Sequence, residues 1–425
     1  MGSPQIPTGE VLAAPPVPLG PSTRIPHTFR ALRHRNFRLF ISGQIVSLVG
    51  TWMQIVAQSW LVYRLTHSEL LLGTTWFCSQ IAVFALGPVG GLVCDRYPRQ
   101  KVVVLTQTLS MLQAFAMAAL TLSGRIEVWH VIVLAGALGV INAFDMPGRQ
   151  ALVIQMTSQE DLINAISLNS AVFNAARVIG PGLAGLLLSV VGEGTCFLLN
   201  GLSFLAVIAS LLAMRLPRFE PHPPAPVLRH LVDGFRYAAN HHAVRRVLAL
   251  MAAATLAGMP GLVLMPFFAD DIFHRGSKGL GYLMGAMGIG AVTGTLVLAR
   301  RTGKAGLGRV MVISGLTTGV CYLCFAFSQA FYFSLAIMPI IGYSVMRQMA
   351  SANTTIQTSI PDQYRGRIMA LYAMTVVGLG PFGSLAAGAV AGRFGARAAL
   401  ACGGVLALAA SSIFEWSRRK QPIAG

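Results

Sequence analysis

The chain has 425 residues, of which 54% are hydrophobic and only 11% charged, yet its formal net charge is +18. That balance lies far from the norms of soluble domains. It argues against a nucleic-acid partner for the positive charge, because a basic groove needs a soluble fold to display it.

Residues 1–27 are proline-rich, without an apolar core long enough for a signal peptide, and predict a disordered cytoplasmic tail. Crossing the hydrocarbon core takes about 20 apolar residues. Stretches of that kind fall at 37–63, 69–92, 102–123, 128–147, 164–190, 195–214, 247–269, 279–299, 309–328, 331–352, 367–391 and 396–415. None shows strand-like alternation, so a helical bundle is expected rather than a closed barrel. The prediction is an all-α membrane protein of 12 transmembrane helices: a first six-helix half (28–214), a linker (215–246), a second half (247–416) and a short tail (417–425). Most of the 32 Lys and Arg fall in the tails and in every second loop, which places both termini in the cytoplasm.

In the first span, Ser47, Thr51, Gln54 and Gln58 share one helical face. Polar groups facing lipid are costly, so this face is expected to look inward, with Gln54 and Gln58 as substrate contacts or as glue between helices.

Between the second and third spans stands Gly90-Gly91-Leu92-Val93-Cys94-Asp95-Arg96-Tyr97-Pro98-Arg99-Gln100-Lys101. It resembles the signature of the major facilitator superfamily, G-x-x-x-D-R-x-G-R-[RK]. Gly91, Asp95, Arg96 and Arg99 match, Pro98 replaces the usual Gly, and the final basic residue is displaced to Lys101. The resemblance implies a cytoplasmic gate. Gly91 would let two helices approach, Asp95 would sit at the positive N-terminus of the eleventh helix, and Arg99 would bridge Asp95 to Asp145. The alternative is a loop charge cluster that only fixes topology. Phe37–Ser68, 142–153 (NAFDMPGRQALV) and 198–207 (LLNGLSFLAV) are similar to the secretion-effector branch of that superfamily, which includes the enterobactin exporters. This implies efflux of small molecules such as siderophores or amphiphilic drugs.

An internal repeat supports two related halves. Arg149-Gln150 after the fourth span is matched by Arg347-Gln348 in the tenth, and Gly180-Pro181 in the fifth by Gly380-Pro381 in the eleventh. Arg149 and Arg347 therefore join the expected gate set. Gly180, Pro181 and Gly185 resemble, incompletely, the antiporter motif of drug exporters, and Pro181 should kink its helix. A helix-packing role explains the same residues. Also in the fifth span, Arg177 is the one basic residue near a bilayer midplane, one turn after Asn174. Burying it costs roughly 2.5–3.5 kcal/mol on insertion scales, so it needs either an anionic substrate group or backbone carbonyls. With Tyr343 in the tenth span, Asn174 and Arg177 complete the substrate-contact candidates.

In the linker, 228–242 keeps helical apolar spacing and reads as a basic surface helix or as a plain tether. Asp270 and Asp271 end the seventh span and, with Asp145, are the carboxylates available for proton coupling. Gly281, Gly285, Gly288, Gly290 and Gly294 line the eighth span as a surface for the fifth, and Arg300, Arg301 and Lys304 follow as an eroded copy of the gate motif. Cys321 and Cys324 form a C-x-x-C without a second pair or nearby His, and read as packing residues rather than a metal or redox site.

The chain therefore reads as a monomeric proton-coupled exporter in a bacterial cytoplasmic membrane, with the lipid bilayer and a small-molecule substrate as its partners, no nucleic acid, and no metal or cofactor. An uncoupled facilitator or an uptake transporter is the alternative. A membrane-embedded enzyme is a third reading, against which stands the lack of H-E-x-x-H and of G-x-S-x-G on a strand-to-helix turn.

Overall fold

A computed structural model describes residues 27–216, 235–299 and 306–420. Its long helices are α1 (Arg35–Thr66), α2 (Glu69–Arg96), α3 (Arg99–Leu122), α4 (Val128–Gln155), α5 (Leu162–Val190), α6 (Gly192–Leu212), α7 (His242–Val263), α8 (Gly276–Ala299), α9 (Leu307–Phe327), α10 (Phe331–Ser359), α11 (Asp362–Phe394) and α12 (Ala396–Lys420). Local chemistry sets several boundaries. Ser68 caps α2 by accepting from the Leu71 N–H at 3.3 Å, with Glu69 in the first turn. Gly395 ends α11 at φ +86°, a conformation open to glycine without strain.

Eleven of these helices are long and apolar enough to cross a membrane. The remaining one, α10, is apolar from Phe331 to Val345 but ends in a polar stretch of Arg347, Gln348, Asn353 and Gln357. The seventh span is not one continuous helix over 247–269. Helix α7 stops at Val263, Leu264 leaves helical geometry, and a π-helical turn follows over Phe268–Ile272. Pro266, which has no N–H to give a carbonyl one turn back, accounts for the break. Helix α12 likewise continues past residue 416, to Lys420. Most of the expected linker helix, the first 26 residues and the eroded second motif at 300–304 lie outside the described residues. Residues 235–240 are helical, with Tyr237 stacked on Tyr364 at 4.4 Å.

The repeat is visible in the packing. In the first half α1 packs on α5 and α6, α2 on α4, and α3 on α4 and α6. In the second half α7 packs on α11 and α12, α8 on α10, and α9 on α10 and α12. The halves meet through α2 with α11 and α5 with α8, a pair of contacts that the repeat interchanges.

Those contacts are concentrated at the end of the bundle away from the termini. A methyl group added at Gly185 would lie 2.6 Å from the Gly281 Cα, and one at Gly73 would lie 3.1 Å from the Gly388 Cα. Backbone meets backbone there, as small residues allow. At the same end one apolar core runs through both halves, from Leu61 and Leu72 to Phe268, Leu283 and Phe325. At the end bearing the termini the cores are separate: one around Phe37, Phe40 and Leu152, the other around Met251, Ile356 and Leu371. The halves are thus closed at one end and parted at the other.

Beside α1, the 3₁₀ turn His27–Arg33 is held against the start of α5. Arg33 and His34 lie 2.7 and 2.8 Å from the Asp161 carboxylate and Arg30 lies 3.2 Å away, while Ala31 N–H donates to Asn164 at 2.8 Å. The His34 hydrogen bond, then the Arg33 and Arg30 charges, hold the Asp161 carboxyl below its usual range.

Two outcomes are expected. Gly185→Val should force α5 and α8 apart, lengthening spin-label distances across the closed end while leaving those within the first half unchanged. Because the Asp161 pKa is depressed, docking of 27–33 should be at full strength above the ordinary carboxylate pKa, roughly 4, and weaken as pH falls through the lower folded value. Asp161→Asn should abolish that pH dependence, read as protease sensitivity of the segment.

Candidate functional site

The space between the halves holds two cavities, of about 370 and 210 Å³. The larger is walled mainly by the first half. The polar residues of α1 reach it as their spacing predicts: Thr51, Gln54 and Gln58 all line it. Gln54, however, is already satisfied. It donates to Gln113 of α3 at 3.0 Å and accepts from Asn200 of α6 at 2.6 Å, and Gln113 donates on to the Leu134 carbonyl at 3.3 Å. This buried chain ties four helices of the first half together, so Gln54 acts as glue. Gln58 makes no hydrogen bond to another described residue and faces the cavity freely.

Gln80 of α2 and Asn142 of α4 do the same. Sequence reasoning missed both, although each is a polar side chain in the middle of an apolar span, the same signal that singled out Gln58. It also missed the polar face of α3, where Thr106, Gln107, Ser110 and Gln113 are all buried. Trp52, Trp76 and Phe173 add aromatic wall.

The smaller cavity is walled by the second half, with Met251, Met259, Met349, Leu262 and Tyr322 among its lining. Arg177, Met259, Leu262 and Met287 line both cavities, so Arg177 stands at their junction. Its guanidinium lies 5.6 Å from the Trp52 ring centre, a cation–π distance. Its hydrogen-bond partner is the Met346 thioether of α10, at 3.8 Å. Asn174 is not part of this site: its amide donates to the Ser170 carbonyl at 2.8 Å and it lines neither cavity. Tyr343 also lies outside both linings. Its hydroxyl accepts from Arg347 at 3.0 Å, and the Arg347 guanidinium sits 5.1 Å from the Tyr343 ring.

The charge cluster differs from the expected one. Arg99 does not bridge Asp95 to Asp145. It approaches Asp95 only at 3.8 Å, and the Asp95 side chain is half exposed. Asp145, 1% exposed, instead pairs with Arg149 one turn along α4 and accepts from Thr106 at 2.7 Å and Gln107 at 2.8 Å. The i,i+4 spacing puts Arg149 on the Asp145 side of the helix, whereas Arg99 opens α3 and would have to reach across. Nor does Gly91 mediate a helix contact: a methyl added there meets nothing within 4 Å. Gly90 is the residue in tight contact, against the Ala143 backbone of α4. Arg96 ends α2 at the parted end of the bundle.

Gly180 packs against Trp52 and Val49 of α1, and Gly185 against Gly281 of α8. The helix runs unbroken through Pro181. The glycines of α8 divide between two neighbours: Gly281, Gly285 and Gly288 face α5, whereas Gly290 and Gly294 face Pro339 and Tyr343 of α10. Asp270 and Asp271 belong to the closed end. The Tyr63 hydroxyl of α1 lies 2.8 and 2.7 Å from their carboxylates, linking the two halves.

Asp145→Asn should cost about 2 kcal/mol, the scale of a hydrogen bond to a charged group, because it removes the anion that Arg149, Thr106 and Gln107 share. Arg99→Ala should cost less, about 1 kcal/mol, because its ion pair is long and the Asp95 partner is half exposed. Thermal unfolding in detergent of the two variants checks the order.

Known proteins place this architecture. The family model described as transmembrane secretion effector matches residues 27–422. The chain is 24% identical over 389 residues to the staphyloferrin A transporter of Staphylococcus aureus, covering 90% of this chain and 96% of that protein. It is 26% identical over 375 residues to the multidrug efflux pump Tap of Mycolicibacterium fortuitum, covering 85% and 90%. It is 25% identical over 350 residues to the enterobactin exporter EntS of Shigella flexneri, covering 81% and 82%. Among solved structures, a bacterial homologue of the human lysosomal transporter Spinster, inward-facing and unoccupied, superposes with a TM-score of 0.71 at 13% identity, over 93% of this chain and 97% of that one. The nucleoside transporter NupG gives 0.71 at 14% identity, over 90% and 98%. Together with its many apolar helices, these matches make the chain a multi-pass membrane transporter rather than an enzyme, and it belongs to the transmembrane secretion effector family of the major facilitator superfamily.

Proposed function

We propose that this transporter exports small amphiphilic molecules, siderophore-like or drug-like, from the cytoplasm by rocking its two halves about the central cavities. The observation that carries this reading is the pair of cavities enclosed between halves that are sealed at one end and separate at the other. The export direction is taken from the printed functions of the efflux pump and enterobactin exporter it resembles.

Positive charge sets the orientation. Arg96, Arg99 and Lys101, with Arg418, Arg419 and Lys420, lie at the parted end, which the positive-inside rule puts in the cytoplasm together with both termini. In this reading α10 also crosses the membrane and brings the spans to twelve, its polar half lying at the cytoplasmic surface, and the conformation is inward-facing. Opening outward would separate Tyr63 from Asp270 and Asp271, Gly73 from Gly388, and Gly185 from Gly281. Closing the cytoplasmic side would bring the start of α11 to α2, where Gly91 now has room and Asp95 is solvated. In this reading the expected contact of Asp95 with the start of α11 belongs to the opposite state.

Proton antiport is the coupling we favour, through Asp145. Among the described residues no carboxylate lines either cavity, and Asp145 is connected to the larger one by Arg149, which lines it. A substrate that draws Arg149 away would leave Asp145 as the group to take up a proton. In proteoliposomes carrying an internal pH dye, substrate-dependent proton movement is expected, and Asp145→Asn should abolish it. Flux without proton movement would overturn the coupling and leave a facilitator.

A further inference from the structure

We infer that the two cavities form one bipartite site for amphiphiles bearing a single anionic group, with the anion held by Arg177 at their junction, a polar body in the larger cavity and an apolar arm in the smaller. The inference rests on the export reading for its biological role, but not for its chemistry.

Arg177 carries five N–H donors, and its hydrogen-bond partner is a thioether, a weak acceptor. No carboxylate forms an ion pair with it among the described residues, and none lines either cavity. The other cation in the larger cavity, Arg149, is neutralised by Asp145. Among the described lining residues, Arg177 is therefore the uncompensated charge. A guanidinium drawn out of water without an anion is costly, and a carboxylate, sulfonate or phosphate monoester entering the cavity removes that cost with bidentate hydrogen bonds.

The walls on either side differ in chemistry. Toward the first half, Gln58, Gln80 and Asn142 offer donors and acceptors that no described residue occupies. Toward the second half, Met251, Met259, Met287 and Met349 offer flexible thioethers that repack around apolar groups of varied shape. Arg177 also reaches from α5 of one half to Met346 of α10 in the other. A ligand anion captured by its guanidinium would compete with a contact that crosses between the halves.

The test uses purified full-length protein in detergent and a matched fluorescent pair, dansylaminoundecanoate and its methyl ester, with protein-free micelles as the blank. The acid should bind about tenfold more tightly than the ester, the order expected for one charge-assisted contact. Arg177→Gln should lose that preference by weakening the acid and leaving the ester unchanged, whereas Arg177→Lys should retain most of it. Met349→Gln should weaken acid and ester together. Equal affinity of acid and ester for the unmodified protein would overturn the inference, as would a parallel loss of both in Arg177→Gln. Unaltered melting of Arg177→Gln, and rescue by Lys, exclude a folding defect. The binding assay needs no transport, so acid selectivity without efflux from vesicles would count against export and leave the site standing. Efflux without acid selectivity would do the reverse.

Discussion

Close approach of backbones at one end of the bundle is the constraint on which the rest of this transporter depends. Two helix pairs, α2 with α11 and α5 with α8, bring the halves together where Gly73 faces Gly388 and Gly185 faces Gly281. In lipid there is no hydrophobic gain from pushing apolar helices together, so association must come from packing and hydrogen bonds. Side chains at these positions would hold the backbones apart, and the shared core of Leu61, Phe268 and Phe325 would open. Everything between the halves, including both cavities, takes its shape from that seal.

Much of the architecture was legible in the sequence because its signals are long and repeated. Apolar stretches of fixed length, charge bias between alternate loops and the matched Gly180-Pro181 and Gly380-Pro381 pairs each report on many residues at once. The long helices remained readable even where α7 breaks at Leu264, since a break near a helix's end leaves the order of long helices unchanged. The site was less legible. Polarity within an apolar span says that a side chain faces inward, not whether another helix satisfies it. Gln54 and Gln58 carry the same signal, yet one is consumed by Gln113 and Asn200 while the other is free. Partner choice among charges was misjudged for a related reason. Asp145 had two arginines within plausible reach, and sequence motif logic chose Arg99, whereas helix spacing chose Arg149.

The electrostatics of the centre follow from that partition. The buried network of Asp145, Arg149, Thr106 and Gln107 is nearly self-contained and stays within the first half. Arg177 has no such enclosure and sits where the two walls meet. One arginine is thus a structural member with its charge cancelled, and the other a charge exposed to whatever fills the cavity. The same residue type serves both purposes because its neighbours differ.

Tyr63 has a consequence of a different kind. Its hydroxyl lies at hydrogen-bond distance from both Asp270 and Asp271, but a phenol owns a single proton. It can donate to only one carboxylate at a time, while the half-buried Asp270 and the exposed Asp271 also have access to water. The clasp between the halves therefore has two interchangeable acceptors, and a small shift that carries one aspartate away leaves the hydroxyl fastened to the other.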